Sequence, residues 1–385
     1  MRGIAVKNIL VMALLCSLCL ASCSNSVSYS EDSTDVPVLE WTWVPYDSDV
    51  LQISGRTNYE KGDFLILSWS ASSVTIAFRG TALEMKGWTN NIVYLDVFVD
   101  GEEDPSSLIK LTYFEEDSLN EPVSVPVVSD LPYGEHVVTL YKRTGSNFGD
   151  WRVYGMRVLG RAEKDLLPAR PERRIEFVGN SIACGCDVLM PVPGQEFDLY
   201  FESSYYSYAG QTAKMLHAEE HNICSGGHGV YLNYDGSTAL ALPVVYNRTA
   251  TLSLDAVVWD HSKWHPDIVV VNLGTNDFAS RMIDSTRFVN ATVNFIRKIR
   301  SYHPEARIVL LDGPMLTGDY MVKCRQYLDT AKAILEGEGV DELYRFSFDP
   351  HGESAYNVYY HPTREEAAAD AQSLTAWIRS EFGWN

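Results

Sequence analysis

Ile268-Val269-Val270-Val271-Asn272-Leu273 is an almost unbroken apolar run, closed off by Pro266 before it and Gly274 after it. A strand apolar on both sides is one covered on both faces, which in practice means a parallel sheet between layers of helix. Residues 175–178 and 308–311 repeat the pattern, the second ending at Gly313-Pro314. Helical periodicity separates these runs. Residues 204–216 read as a helix that Ser203 or Ser204 caps, and 287–300 carry Phe288, Phe295 and Ile299 on one stripe. Residues 363–378 form a last helix. Strand and helix in alternation predict an α/β unit over residues 175–385 with a parallel sheet.

The chain ahead of this unit follows another rule. Val74, Ile76 and Phe78 alternate with Thr75 and Ala77, the period of a strand. Residues 93–99 are β-branched and aromatic and run into Asp100-Gly101, a hairpin-type turn. Pro132-Tyr133-Gly134 precedes a further strand at 137–141. Short strands at this spacing predict a β-sandwich of jelly-roll type over residues 38–160, and Pro168, Pro171 and a cluster of charges mark a linker at 161–174.

Residues 1–22 read as a leader rather than as fold. Arg2 and Lys7 supply its positive start, residues 9–20 its apolar centre, and Leu20-Ala21-Ser22-Cys23 a lipoprotein cleavage box. Cys23 is then the lipidated N-terminus and 23–37 a polar tether, which predicts anchoring in a bacterial cell envelope, at the outer membrane on its periplasmic or outer face. The formal charge is −20, which disfavours nucleic acid and any membrane contact beyond the lipid, but does not repel a neutral sugar ester. Of seven cysteines, Cys184, Cys186, Cys224 and Cys324 lie beyond the leader and lipid box. Cys184-x-Cys186 lacks the two-residue spacing of a zinc knuckle, so no metal is expected. A disulfide is permitted, but the expected role of these cysteines is that of small buried apolar side chains.

Three strings carry chemistry. Phe177-Val178-Gly179-Asn180-Ser181 places a serine after one apolar strand. Leu273-Gly274-Thr275-Asn276-Asp277 places an amide donor after another, and Tyr360-His361-Pro362 supplies a late imidazole. In open parallel sheets ligands sit beyond the carboxyl ends of the strands, so all three are expected at one rim. A serine needs a base before it attacks a carbonyl, and the oxyanion that follows needs donors aimed at it. Ser181 is the candidate nucleophile and His361 the base. The donors are the Ser181 N–H, the Asn276 amide and a glycine N–H from Cys224-Ser225-Gly226-Gly227-His228-Gly229. No cofactor is required.

These blocks, in this order, resemble the SGNH hydrolases, and most closely carbohydrate esterase family 2, which joins a β-sandwich to an SGNH domain and deacetylates plant polysaccharides. Gly179-Asn180-Ser181-Ile182 resembles the nucleophile block, with Asn180 where Asp is commoner. Gly226-Gly227-His228-Gly229 resembles the glycine block, Gly274-Thr275-Asn276-Asp277 the asparagine block, and His361-Pro362 the histidine block. The resemblance implies a serine esterase acting on an acetylated polysaccharide or oligosaccharide, with Ser181, Gly227, Asn276 and His361 in those four roles. Gly226 or Gly229 can replace Gly227 by a shift of register. The family's usual Asp three residues before the histidine is Val358 here. A Ser–His dyad is therefore expected, its ring held by a main-chain oxygen near Val358 or Tyr359, with Asp349 or Glu353 as the second option.

Other residues are weighed more simply. Asp277 is expected to cap a helix or to stand behind the residues that touch the substrate, rather than to serve as an acid. His228, Trp259, Trp264 and Tyr360 are candidate substrate contacts, and His265 is read as structural. Two other functions fit the same chain: a sugar-binding lipoprotein that has lost its chemistry, and an esterase for other acyl groups.

Overall fold

The computed structural model describes residues 38–384 apart from 59–61, 114–121, 192–195, 252–256, 280 and 352–359. The leader, Cys23 and the tether lie outside the described residues, as do Glu353, Val358 and Tyr359. Among the described residues, no helix is long and apolar enough to cross a membrane.

The front part is an antiparallel β-domain. Among the described residues ten strands, from Trp41 to Ala162, form one hydrogen-bonded network. The long strands Ser73–Thr89 and Trp151–Ala162 pair along most of their length, with register shifts between Val153 and Gly155 and between Leu159 and Gly160. Val74, Ile76 and Phe78 enter its core with Leu95, Val97, Val138 and Trp151. Asp100 and Gly101 both take left-handed φ angles, 52° and 78°, as a tight Asp-Gly turn demands.

The second part holds, among the described residues, a parallel sheet of five strands. Its elements are β1 (Arg173–Gly179), α1 (Ser181–Cys184), α2 (Tyr208–Met215), β2 (Ala218–Cys224), α3 (Leu242–Val245), β3 (Ile268–Asn272), α4 (Ser285–Tyr302), β4 (Arg307–Asp312), α5 (Gly318–Gly337), β5 (Leu343–Ser347) and α6 (Arg364–Phe382). The spatial order is β2-β1-β3-β4-β5. The reason for the apolar run is visible in β3. Ile268 and Val270 pack under α2 and α6, while Val269 and Val271 pack under α4 and α5, and all four are buried. The expected helix at 204–216 is broken: Ser207, directly after a short turn at 204–206, accepts the Gly210 N–H at 3.2 Å and caps α2, which begins at Tyr208. β2, α5 and β5 were not foreseen in the sequence. β2 reads Ala-Glu-Glu-His-Asn-Ile-Cys; Glu219, Glu220 and His221 meet the front domain, while Asn222 donates to the Ala183 carbonyl at 2.8 Å.

That meeting is a polar seam. Arg56, from the front domain, is fully buried and its Nη2 lies 2.8 Å from Glu176 Oε2 on β1. Arg56 Nη1 also donates to the Tyr246 carbonyl, and the Tyr246 hydroxyl donates to Glu176 Oε1 at 2.5 Å. On β2, His221 Nε2 accepts the Gly55 N–H at 3.2 Å, while Glu219 Oε1 accepts from Ser54 Oγ at 3.0 Å. Further along, Glu202 is buried and accepts the Gly145 N–H at 2.5 Å.

Removing one partner of a buried ion pair leaves the other charged and dry. Arg56→Ala is expected to lower unfolding free energy by about 3–5 kcal/mol in urea melts, and replacing both Arg56 and Glu176 by Met to lower it by less. A loss below about 1 kcal/mol for Arg56→Ala would remove the pair from this role. Burial pushes the Glu202 carboxyl up to about 7, against the opposing pull of the Gly145 N–H and Lys142. The folded protein thus keeps a proton that the unfolded chain releases near 4.5. This group makes stability fall as pH rises from about 4.5 to about 7 and leaves it flat above. Glu202→Gln retains an acceptor for Gly145, so its melting temperature, measured across that window, should decline less than that of the parent protein.

Candidate active site

β1 lies between β2 and β3, and chain connections leave its carboxyl end in opposite directions there, the place where open α/β sheets bind ligands. Ser181 follows β1 directly. Asn180 Oδ1 accepts the Ile182 N–H at 3.1 Å and so caps α1, which puts Ser181 on its first turn with the hydroxyl at the rim. The choice of Asn over Asp at 180 keeps the cap without adding a charge beside the nucleophile.

His361 stands just before α6, whose start is fixed by a capping box between Thr363 and Glu366. Its Nε2 is 2.9 Å from Ser181 Oγ. Behind the ring, Asp187 Oδ2 is 3.1 Å from Nδ1. Asp187 is buried and takes a left-handed φ of 58°, which Asp tolerates better than most residues. The ring is thus oriented by a carboxylate that the sequence analysis did not nominate, six residues after the nucleophile rather than three before the histidine. The expectation of a bare Ser–His dyad is corrected accordingly. The main-chain oxygens proposed for the task, at Val358 and Tyr359, and the Glu353 alternative all lie outside the described residues. No motif flags Asp187, because its role comes from the fold of the 185–190 loop, anchored where the Ser203 N–H donates to the Gly185 carbonyl at 2.9 Å.

The candidate oxyanion donors lie in the loops after β2 and β3. Asn276 is buried, and its Nδ2 donates to the His228 carbonyl at 2.8 Å, leaving its second N–H to point elsewhere. Asp277 takes the N–H groups of Val230, Tyr231 and Leu232 at 2.8–3.0 Å and so shapes the glycine loop from below. Burial raises its carboxyl to about 6, and those three amides oppose the rise. Gly229 belongs to that support: a Cβ there would sit 2.0 Å from the Leu232 carbonyl oxygen. Gly226 is the glycine that borders the nucleophile, since its Cβ would fall 3.9 Å from Ser181 Cβ, and Gly227, at φ 78°, makes the turn beside it.

Cys184 is bonded to Cys224, correcting the reading of both as simple apolar filler. The bond ties α1 to the end of β2, so the nucleophile and the glycine loop are covalently clipped together. Cys324 is buried and free, as expected. With Cys184 committed to sulfur, the Cys-x-Cys string cannot ligate as a pair. Cys186, Asp187 and His361 do bring donor atoms within 4.8 Å of one another. Asp187 and His361 already engage each other, however, and burial beside Glu202 and Asp187 holds the Cys186 thiol protonated.

The candidate substrate contacts separate. Tyr360 is exposed beside His361 with a left-handed φ of 63°, a conformation that costs an aromatic residue about 1 kcal/mol and is retained next to the base. His228 is half-buried, with its ring turned to the Leu240 main chain. Trp259 and Trp264 are buried in the seam instead: the Trp264 ring stacks on His221 at 3.6 Å and Trp259 meets it edge-on. His221 pairs with Glu176 in register, five residues before Ser181 and so roughly 16 Å down the sheet. His265, read as structural, lies edge-on to His303 with ring centroids 6.3 Å apart.

Residues 53–169 match the family model for the carbohydrate esterase 2 N-terminal region, and residues 177–372 match that of the GDSL-like lipase/acylhydrolase family. The chain is 32% identical over 340 residues to cellulase/esterase CelE of Acetivibrio thermocellus, a match covering 88% of this chain and 40% of that much longer relative. It is 28% identical over 379 residues to an acetylxylan esterase/glucomannan deacetylase of Cellvibrio japonicus, covering 97% of this chain and 98% of the relative. A solved family two carbohydrate esterase from Clostridium thermocellum, in complex with cellohexaose, superposes with a TM-score of 0.80 at 31% identity, over 87% of this chain and all of that one.

Proposed function

Because this chain belongs to carbohydrate esterase family 2, we propose that it is a serine esterase that removes O-acetyl groups from a plant-type polysaccharide or oligosaccharide. The observation that carries the proposal is the line Ser181 Oγ, His361 Nε2 at 2.9 Å, His361 Nδ1, Asp187 Oδ2 at 3.1 Å, at the carboxyl end of a parallel sheet.

In this mechanism the Ser181 oxygen attacks the acetyl carbonyl while His361 Nε2 takes its proton. The carbonyl oxygen becomes an oxyanion, met by the Ser181 N–H, the Asn276 amide and an N–H from Gly226-Gly227. Asp187 stabilises the imidazolium and keeps Nδ1 as the protonated nitrogen. The imidazolium then returns its proton to the departing sugar oxygen, leaving an acetyl-enzyme. Water, deprotonated by the same imidazole, attacks that ester, and acetate leaves as Ser181 regains its proton. Every proton taken is returned, so the cycle needs no cofactor.

The rival reading, a sugar-binding lipoprotein without chemistry, drew on the missing carboxylate at Val358, and Asp187 removes that ground. The lipid anchor at Cys23 and the envelope location remain part of the proposal, resting on the leader alone. An esterase for longer acyl groups would show rates rising beyond butyrate in a chain-length series.

Ser181→Ala should lower acetate release from acetylated xylan and from para-nitrophenyl acetate on the order of 10⁶-fold, and equal rates in both proteins would end the proposal. Asp187→Asn should keep the fold, judged by an unchanged circular dichroism spectrum, but reduce kcat by about 10²–10⁴-fold. A loss under about threefold would mean that a main-chain oxygen suffices to orient His361.

A further inference from the structure

The front domain does more than wall the catalytic unit. After its strand Gly134–Lys142 the chain runs through residues 143–149 into the rim around Ser181. The position that a Cβ on Gly226 would occupy lies 3.7 Å from Asn147 Nδ2 and 3.9 Å from Ser181 Cβ. Asn147 therefore faces the nucleophile across a gap that glycine keeps open. Its Oδ1 is buried and has no hydrogen-bond partner. That oxygen is turned toward Gly145, so the Nδ2 donor is the end of the amide that borders the gap.

The segment is also held too firmly for this to be a stray side chain. Lys142 Nζ donates to the carbonyls of Thr144 at 2.6 Å and Gly145 at 3.3 Å. The Gly145 N–H is held by Glu202, the Ser146 and Thr251 hydroxyls bond each other, and the Ile92 N–H donates to the Phe148 carbonyl at 3.2 Å. Phe148 stacks on Phe197, whose ring is 41% exposed, with centroids 5.7 Å apart. Both domains thus pre-position one amide beside the nucleophile, and that rigidity lowers the entropy lost on binding.

The chemistry selects the ligand group. An oxyanion only accepts hydrogen bonds, and the glycine loop and Asn276 already serve it. Asn147 Nδ2 is a further donor at the gap, and a sugar hydroxyl oxygen beside the ester can accept from it. The geometry points to Asn147 as a substrate-binding residue supplied by the front domain, hydrogen-bonded to a free hydroxyl of the sugar whose acetyl group Ser181 attacks. The inference rests on the esterase reading above and adds the side of the ester on which selectivity arises.

The test compares Asn147→Ala with the parent protein on an acetylated xylo-oligosaccharide and on para-nitrophenyl acetate, whose leaving group has no sugar hydroxyl. The expected result is a kcat/KM for the oligosaccharide that falls about tenfold further than that for the aryl ester, mostly through KM. Equal losses on both substrates assign Asn147 to the oxyanion or to loop integrity and overturn the inference. No loss on either overturns it too. If Asn147→Ala melts early, Asn147→Ser gives the same comparison. Should the parent protein cleave neither substrate, the esterase reading fails separately. Calorimetric titration with the oligosaccharide then decides for Asn147: about tenfold weaker binding in the variant supports it, and equal affinity refutes it.

Discussion

Burying β1 between two parallel neighbours is the constraint from which the rest follows. A parallel strand covered on both faces is closed to a ligand along its length, since its side chains there are committed to packing or to buried partners such as Arg56 on Glu176. Its chemistry is pushed to the carboxyl end, where β1, β2 and β3 release their chains into three separate loops. Those loops bring a hydroxyl, a glycine turn and an amide to one place because the strands beneath them are in register. The disulfide between Cys184 and Cys224 adds a covalent limit on how far two of the loops can part.

The front domain is bound to this sheet by buried polar contacts alongside apolar ones, among them Trp69, which enters the sheet's own core. Arg56 and Glu176 are both fully withdrawn from water, and Glu176 sits on the strand that ends at the nucleophile. A buried ion pair adds little net stability over apolar packing, but it tolerates few alternative geometries. At this seam it favours one docking of the front domain on β1. The same seam explains why β2 carries Glu219, Glu220 and His221 where an inner strand would carry Val or Ile. Its outer edge faces another domain's donors, not solvent and not a helix.

Much of the fold was legible because it depends on periodicity. Apolar runs at 268–273 and 308–311 became β3 and β4 within a residue or two, and alternation near 74–78 became a core strand. β2 was not legible, since its polar residues are explained only by a partner distant in sequence. At the site, Ser181, Asn276 and His361 were named from local strings, and the structure sets Ser181 and His361 in direct contact. Trp259 and Trp264, named from their proximity to the Asn276 strand, belong to the seam.

Asp187 marks the boundary most sharply. The sequence alone determined which residue types follow which strands, because strand ends and turns are set by neighbours a few positions away. Only the tertiary structure decided which carboxylate stands behind His361, because that contact spans 174 positions and depends on how one loop folds under another. The same holds for Asn147, whose place beside the nucleophile exists only once two domains have closed on each other.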